Sequence, residues 1–432
     1  MSATYIFASR NSFMKQPIFV SPPDNHYFFG YYDKSQLNRS STRLLALRVD
    51  FIDRVPNRND RAVIGYFNLE EEGQPFVEVA DTRTFNWQQG CMLQWLGPDH
   101  ETRIIYNDLE EGRFVSIILD LETRKRKVLS MPVYTVAADG KMALCIDQER
   151  HHFCRRGYSY DGVTNHNKNQ PVVPDDGIWR LDFETGETKQ VIALEDLIAN
   201  QQLSNMKEAV HHVEHLMLNP SGSRFCFLHR WKMEEGGIFD RLYTADPNGE
   251  DIYLLNDSGR VGHYCWRNDK EVLLYGGLTN PVNRLRRYKN LVRYIFKPIL
   301  PLYHKLVKDN SRFSKVLTGD SYLLFKDRSG GRKRVAPEIS AEDGHPSFPP
   351  GNQTVFLSDT YPDPEEGSVA KLLRYDLETG EHEVLAELDS IPEYDNSAVR
   401  CDLHPKSSYD GKYVSVDTMD RGIRGTYLYK VF

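Results

Sequence analysis

One pattern recurs along this chain: a polar or aromatic opening, a short apolar run, a turn of Pro, Asp, Asn or Gly, and a second apolar run that closes on a polar residue. Six stretches follow it and a seventh follows it loosely. The clearest copies run from His212 to His229, from Gly344 to Asp359 and from Asp402 to Asp417. Apolar runs broken by turn residues read as short antiparallel strands. A unit repeated over a whole chain buries its faces against its neighbours. The pattern therefore predicts an all-β fold, a β-propeller.

Each blade of a propeller is a four-stranded meander, so inner and outer hairpins must alternate. Outer hairpins are visible at 177–192 and 371–385, each turning on Glu-Thr-Gly, and again at 117–129 and 242–255. Inner hairpins fall at about 26–50, 86–108, 133–150, 212–231, 262–276, 344–361 and 400–418. Seven inner hairpins predict seven blades in one domain over 1–432. The last blade, ending on 425–432, is one strand short. Pro17–Ser21 is the segment placed to supply that strand and close the ring, removing the open edges.

Between the fifth and sixth inner hairpins, 281–318 breaks the pattern. Within it, 284–308 carries many Lys and Arg and no acid, and Leu285, Tyr288, Val292, Ile295, Ile299, Leu302 and Leu306 recur at spacings of three and four. That is the stripe of an amphipathic helix, kinked or divided by Pro298 and Pro301. A basic helix with an apolar face suits an anionic membrane surface. The other reading is a helix that caps the propeller with its cations solvated.

The net charge of −7 argues against a polyanion binder, and no nucleic acid is expected as a partner. The six cysteines are scattered without C-x-x-C spacing and read as buried reduced thiols. The first residues lack the basic and apolar regions of an export signal, and no run approaches the roughly 18 apolar residues of a membrane span. The expected location is the cytoplasm, at the inner face of the cell membrane if the basic helix docks there.

In a meander, the start of the innermost strand and the end of the next lie at the same end of the blade. This rule gathers most of the histidines at one rim. His211, His212 and His215 join His229 and Arg230, and His263 and Tyr264 join Tyr275. His345 joins Asp359 and Tyr361, and Arg400, Asp402 and His404 join Asp417. The first three blades add His26 with Arg48 and Asp50, Gln88 and Gln89 with Asp108, and Tyr134 with Asp147 and Arg150. A lone histidine such as His26 or His404 commonly serves structure, and Asp359 and Asp417 read as turn or blade-linking acceptors. His212, His215 and His229 in one blade beside Arg230 point instead to function, because packing alone prefers apolar residues there. His211–His215 is not a zinc-protease H-E-x-x-H, since His212 stands where the glutamate belongs. No nucleophile elbow, phosphate-binding glycine loop or Cys/His zinc spacing occurs.

The order of Asn86–Gly90, His212–His229, Gly262–Trp266 and Arg400–Pro405 resembles the intracellular oligogalacturonate lyases and the TolB-like propellers around them, and more distantly the propeller ulvan lyases. The resemblance implies β-elimination on a uronic-acid glycan, an anionic oligosaccharide partner, and a manganese ion held by one His from a middle blade and a Gln/His/His cluster from a late one. Here His263 corresponds to the first ligand, and the late cluster reads Arg400, Asp402 and His404, with an arginine, which repels cations, at one ligand position. The chemistry needs a base, a cation for the carboxylate and an acid for the leaving oxygen. The expected roles are His212 or His229 as base, Tyr264 as acid, and Arg230 with Arg400 as carboxylate clamp. His215, His345, Tyr361, Gln88 and His26 are expected to line the substrate site. The same site would serve a uronate epimerase, and the competing class is a non-catalytic propeller that binds or scaffolds an anionic glycan.

Overall fold

The computed structural model describes residues 14–164, 167, 170–234, 237–278, 319–340, 343–362 and 367–431. Seven antiparallel sheets follow one another along the chain, six of four strands and one of three, and together they form a seven-bladed β-propeller. Apolar clusters lie between consecutive sheets rather than within them. Phe28, Leu47 and Ile64 of the first blade pack on Trp95, Ile104 and Ile117 of the second. Leu357 and Leu372 of the sixth pack on Val414, Val416 and Tyr429 of the seventh. Every blade thus depends on two neighbours for the burial of its apolar faces.

The ring closes as the sequence predicts. Phe19–Val20 pairs antiparallel with the final strand Gly425–Lys430, Phe19 opposite Leu428 and Val20 opposite Tyr427. Phe19, Tyr27, Leu37, Leu44, Phe67 and Leu428 then seal the last blade against the first. The outer turns form by a shared local device. Asp182 accepts the N–H groups of Glu184 and Thr185 before Gly186, and Asp376 accepts those of Glu378 and Thr379 before Gly380. Both glycines have φ of +76°, which a side chain disfavours. In the sixth blade the innermost strand is reduced to one bridge between Ser347 and Leu357, in a stretch holding Pro346, Pro349 and Pro350, which cannot donate to a ladder.

The position of the insertion differs from expectation. Glu271–Gly276 pairs along its whole length with Ser321–Lys326, Gly276 opposite Ser321. The segment 281–318 therefore leaves from inside the fifth blade, between its second and third strands, and not between the fifth and sixth blades. The sequence hid this because the outermost strand of that blade, Arg332–Arg334, is three exposed cations with no apolar alternation. The basic stretch 284–308 lies outside the described residues.

Two short α-helices are described, Gln148–Cys154 and Leu194–Ala199, and no described helix is long and apolar enough to cross a membrane. The first matters for the site. Asp147 caps it by accepting the N–H groups of Glu149 and Arg150. Arg150, fully buried, donates to the His211 and Pro171 carbonyls and ties the helix to the fourth blade. All six cysteines are unpaired, five of them buried.

Candidate functional site

The innermost strand of the fourth blade, Val210–Leu218, pairs with Phe225–Lys232 so that His212 faces Arg230 and Val213 faces His229. Strand parity then separates two groups. His211, His229 and Trp231 share one side, where their rings lie 5.2 to 6.3 Å apart beside Phe239. His211 Nε2 lies 2.9 Å from the Met206 carbonyl and must donate to it, so His211 Nδ1 accepts from His229 Nε2 at 2.9 Å. His212, Glu214 and Arg230 occupy the other side.

Glu214 is the hub of that side. It is fully buried, and Arg155 Nη1 donates to both its oxygens at 2.8 Å while Arg230 Nη1 stands 2.5 Å from Oε1. His151 Nε2, on the capped helix, lies 3.1 Å away, His215 Nδ1 3.4 Å and His212 Nε2 3.9 Å. Burial alone would raise the Glu214 pKa, but the two guanidiniums outweigh it and hold the carboxyl well below its ordinary range. Burial keeps His212 neutral, with neither ring nitrogen hydrogen-bonded.

His215 leaves the strand at a bulge with φ of +55°. Its N–H donates to the Tyr134 hydroxyl, and its carbonyl accepts from the Tyr264 hydroxyl. Those two tyrosines hold a backbone conformation that a non-glycine residue adopts at a cost of about 1–3 kcal/mol. The ring turns toward the propeller centre, 5.3 Å from Tyr31 and 6.1 Å from Tyr158. Burial lowers its pKa to about 3, so it is an uncharged imidazole at neutral pH despite the pull of Glu214.

Across Tyr31 lies a second group. Its ring is 5.1 Å from that of His404, and ligand-type atoms of His345, Asp402 and His404 all lie within 4.8 Å of one another. His404 also has a left-handed backbone, φ of +47°. Each histidine here is fixed through Nδ1: His345 by Asp359 at 2.8 Å, His404 by the Gly30 carbonyl at 3.0 Å, and neighbouring His263 by Asp343 at 3.1 Å. Such outward bonds leave Nε2 as the free lone pair, as metal-binding histidines require. His404 Nε2 is buried without a hydrogen-bond partner. The donor set of two imidazoles and a carboxylate, with His263 packed 4.1 Å from His345, fits a divalent cation. Burial lowers the pKa of His404 far below its ordinary value. In His345 burial acts the same way, but Asp359 together with Asp402 and Asp343 more than offsets it and the net shift is upward. Gly30 carries this geometry: a Cβ there would meet the Gln89 carbonyl carbon at 2.6 Å.

The accessible groups above this floor are cationic and aromatic. The Arg155 guanidinium covers the Tyr158 ring at 3.8 Å. Arg400 Nε donates to Asp402 at 2.9 and 3.1 Å, its Nη2 donates to the Tyr158 hydroxyl at 3.2 Å, and its guanidinium lies 5.0 Å over Tyr361. Arg400 thus touches the ligand group through the Asp402 carboxylate, while its outer nitrogen turns to Tyr158. The side chains of Arg155 and Arg400 are 24 and 25 % exposed, enough for each to offer N–H groups to an anion.

Of the residues predicted from sequence, the structure brings together His215, His345, Asp402, His404, His263, Arg400 and Tyr361. Gln88 supports them from behind by donating to the Arg400 carbonyl. His212 belongs to the Glu214 cluster. His229 does not join: it lies on the opposite side of the strand, locked to His211. Tyr264 is not available as an acid, because its hydroxyl is committed to the His215 carbonyl. Arg230 is sealed between Glu214 and Asp240 and offers no clamp. His26 is half-buried beside Arg424 and Asp50, away from the cluster. Sequence reasoning missed Glu214, Arg155, Tyr158 and Tyr31. Glu214 stood inside the quoted histidine motif, but Arg155 and Tyr158 lie in a helix and loop outside the blade repeat, where periodicity carries no signal. A separate space of about 600 Å³, lined by Tyr32, Lys34, Trp95, Trp266 and Phe348 among others, opens among the inner hairpin turns and holds none of these histidines.

No protein-family model and no curated relative matches the chain. Solved structures do. An oligogalacturonate lyase in complex with manganese is 14% identical with a TM-score of 0.60, over 97% of this chain and 96% of that one. The oligogalacturonate lyase of Vibrio parahaemolyticus is 13% identical with a TM-score of 0.56 over the same shares. The β-propeller domain of the trilobed protease from Pyrococcus furiosus is 10% identical with a TM-score of 0.50, over 93% of this chain and 96% of that one. At such identities the likeness establishes the fold alone, a β-propeller like that of the two oligogalacturonate lyases.

Proposed function

We propose that this propeller is a carbon–oxygen lyase that cleaves a uronate-containing oligosaccharide by β-elimination. What supports the reading is the meeting at one mouth of an uncharged histidine beside a buried carboxylate, two partly exposed guanidiniums, and the donors of His345, Asp402 and His404. These donors would hold a divalent cation, manganese by analogy with the similar lyase structure, which when bound would draw charge from the uronate carboxylate. Arg155 and Arg400 bind and orient that carboxylate and stabilise the charge that develops on it. His215, uncharged and oriented through Nδ1 toward Glu214, accepts the proton from the carbon beside the carboxylate. The deep placement of Tyr31, His215 and His404 excludes bulk water from the reacting carbon.

The test is ultraviolet absorbance of the conjugated unsaturated product, followed with purified protein on a panel of uronate oligosaccharides, with manganese and with a chelator. A rise abolished by the chelator supports the reading, and a flat trace across the panel with manganese present contradicts it. A cytoplasmic location and contact of 284–308 with anionic lipid belong to the same proposal. Vesicles of phosphatidylserine that fail to bind the protein at low salt would remove the lipid contact without touching the lyase assignment.

A further inference from the structure

Tyr158 accepts one hydrogen bond through its hydroxyl, from Arg400. It follows the capped helix, in a turn where its N–H meets the Arg155 carbonyl. Its chain neighbours are pinned: Ser159 Oγ lies within donating distance of the Gln148 carbonyl and side chain, and the Tyr160 hydroxyl accepts from Asn107. The loop is therefore a fixed platform. Of the phenols around the site, Tyr134, Tyr264 and Tyr32 are buried and hydrogen-bonded to protein, Tyr31 is buried, and Tyr361 is half-buried with the Arg400 guanidinium 5.0 Å over its ring. Tyr158 is half-buried, at the mouth, with its ring 6.1 Å from that of His215.

The polarity of its hydroxyl decides its use. Arg400 Nη2 can only donate, so Tyr158 Oη accepts that bond and keeps its own hydrogen. Among the described residues none accepts that hydrogen. The Arg155 guanidinium covers the ring from the other side at 3.8 Å. One cation thus bonds the oxygen that would lose its proton, and a second lies over the ring. That is the environment of a proton donor whose conjugate base is stabilised in place.

From this geometry, and resting on the lyase reading above, we infer that Tyr158 is the catalytic acid that protonates the departing glycosidic oxygen. The step balances. His215 takes the proton beside the carboxylate, the electron pair of that C–H bond becomes the new carbon–carbon double bond, and the neighbouring carbon–oxygen bond breaks. The leaving oxygen takes the Tyr158 proton; once the product has left and water returns, the His215 imidazolium releases its proton to solvent and the phenolate takes one up. No oxidant or further reactant is needed.

Tyr158→Phe isolates the hydroxyl, because it keeps the ring beneath Arg155. Its activity is compared with wild type on trigalacturonate and on a galacturonide bearing a 4-nitrophenoxy group at the eliminated position, whose leaving group needs no proton. The expected result is a loss of about 10²–10³-fold in kcat on trigalacturonate with KM little changed, and a loss under about fivefold on the nitrophenoxy compound. Equal loss on both substrates, or loss on neither, overturns the acid assignment while leaving the lyase reading in place. An inert wild type on both substrates overturns the lyase reading, and the assignment with it. Circular dichroism and the melting midpoint of the variant exclude misfolding as the source of a loss, and Tyr31→Phe in parallel shows whether the buried phenol takes the role instead, in which case the assignment to Tyr158 fails.

Discussion

His215 and His229 stand in the same blade and at the same mouth, yet the bulge at His215 gives them different work. His229→Ala removes a buried donor and leaves a void on the Trp231 side, so a loss of about 2–4 kcal/mol in urea unfolding is expected, with turnover per folded molecule retained. His215→Ala is expected to do the reverse: a turnover loss of about 10²-fold or more with a smaller change in stability. Equal activity loss in both would contradict the separation. Glu214→Gln leaves Arg155 without its buried countercharge and Arg230 with Asp240 alone, and is expected to cost about 3–5 kcal/mol. The folded-state Glu214 titrates well below the unfolded value of about 4.3. Its stabilisation is therefore complete above about pH 5 and is lost as pH falls toward the folded pKa. Urea unfolding across this window should show a steeper acid decline for wild type than for Glu214→Gln. The rim histidines were legible in the sequence because polar residues at strand ends break an apolar rhythm. Their facing was not, since a one-residue bulge at His215 resets the parity that assigns sides.

Blades were legible where turn chemistry is local. Asp182 to Gly186 and Asp376 to Gly380 announce their hairpins through an Asp that accepts two backbone N–H groups and a glycine with positive φ. The closing strand was legible because an incomplete last blade demands a partner. Deleting residues 1–21 should expose the Gly425–Lys430 edge and the seam around Leu428, lowering the melting midpoint and raising light scattering. An unchanged melt would show that the closure contributes nothing. The outer hairpin of the fifth blade was not legible, since Arg332–Arg334 carries no apolar signal. Its pairing has a consequence for the insertion: Gly276 and Ser321 face each other in the ladder. Replacing 279–318 by a short Gly/Ser linker should therefore leave the melting midpoint nearly unchanged. A collapse of the fold would mean that the insertion packs as part of the propeller.

Taken whole, the molecule is a ring whose chemistry-bearing groups come from different blades: Tyr31 from the first, Arg155 and Tyr158 from the third, His215 from the fourth, His263 from the fifth, His345 from the sixth, and Arg400, Asp402 and His404 from the seventh. The repeat told which end of each blade would meet in the middle, which is why the rim histidines emerged from sequence, whereas a metal at His263, Asp402 and His404 was only what the resemblance implied. It could not tell how far each side chain reaches, so His345 and not His263 completes the tight donor trio with Asp402 and His404. Asp359 binds the ring and N–H of His345 and the N–H of His404, joining two blades at the donor group. Asp359→Asn is expected to weaken manganese binding about 10–100-fold in calorimetric titration, and unchanged affinity would place the ion elsewhere. The most direct test of the account is proton NMR of trigalacturonate incubated with the protein and manganese in deuterium oxide. The account predicts a growing vinylic proton signal from an unsaturated uronate at the new chain end. Deuterium appearing beside an intact carboxylate without a vinylic signal would make the protein an epimerase, and an unchanged spectrum with line broadening alone would make it a glycan-binding propeller; either result would contradict the lyase assignment.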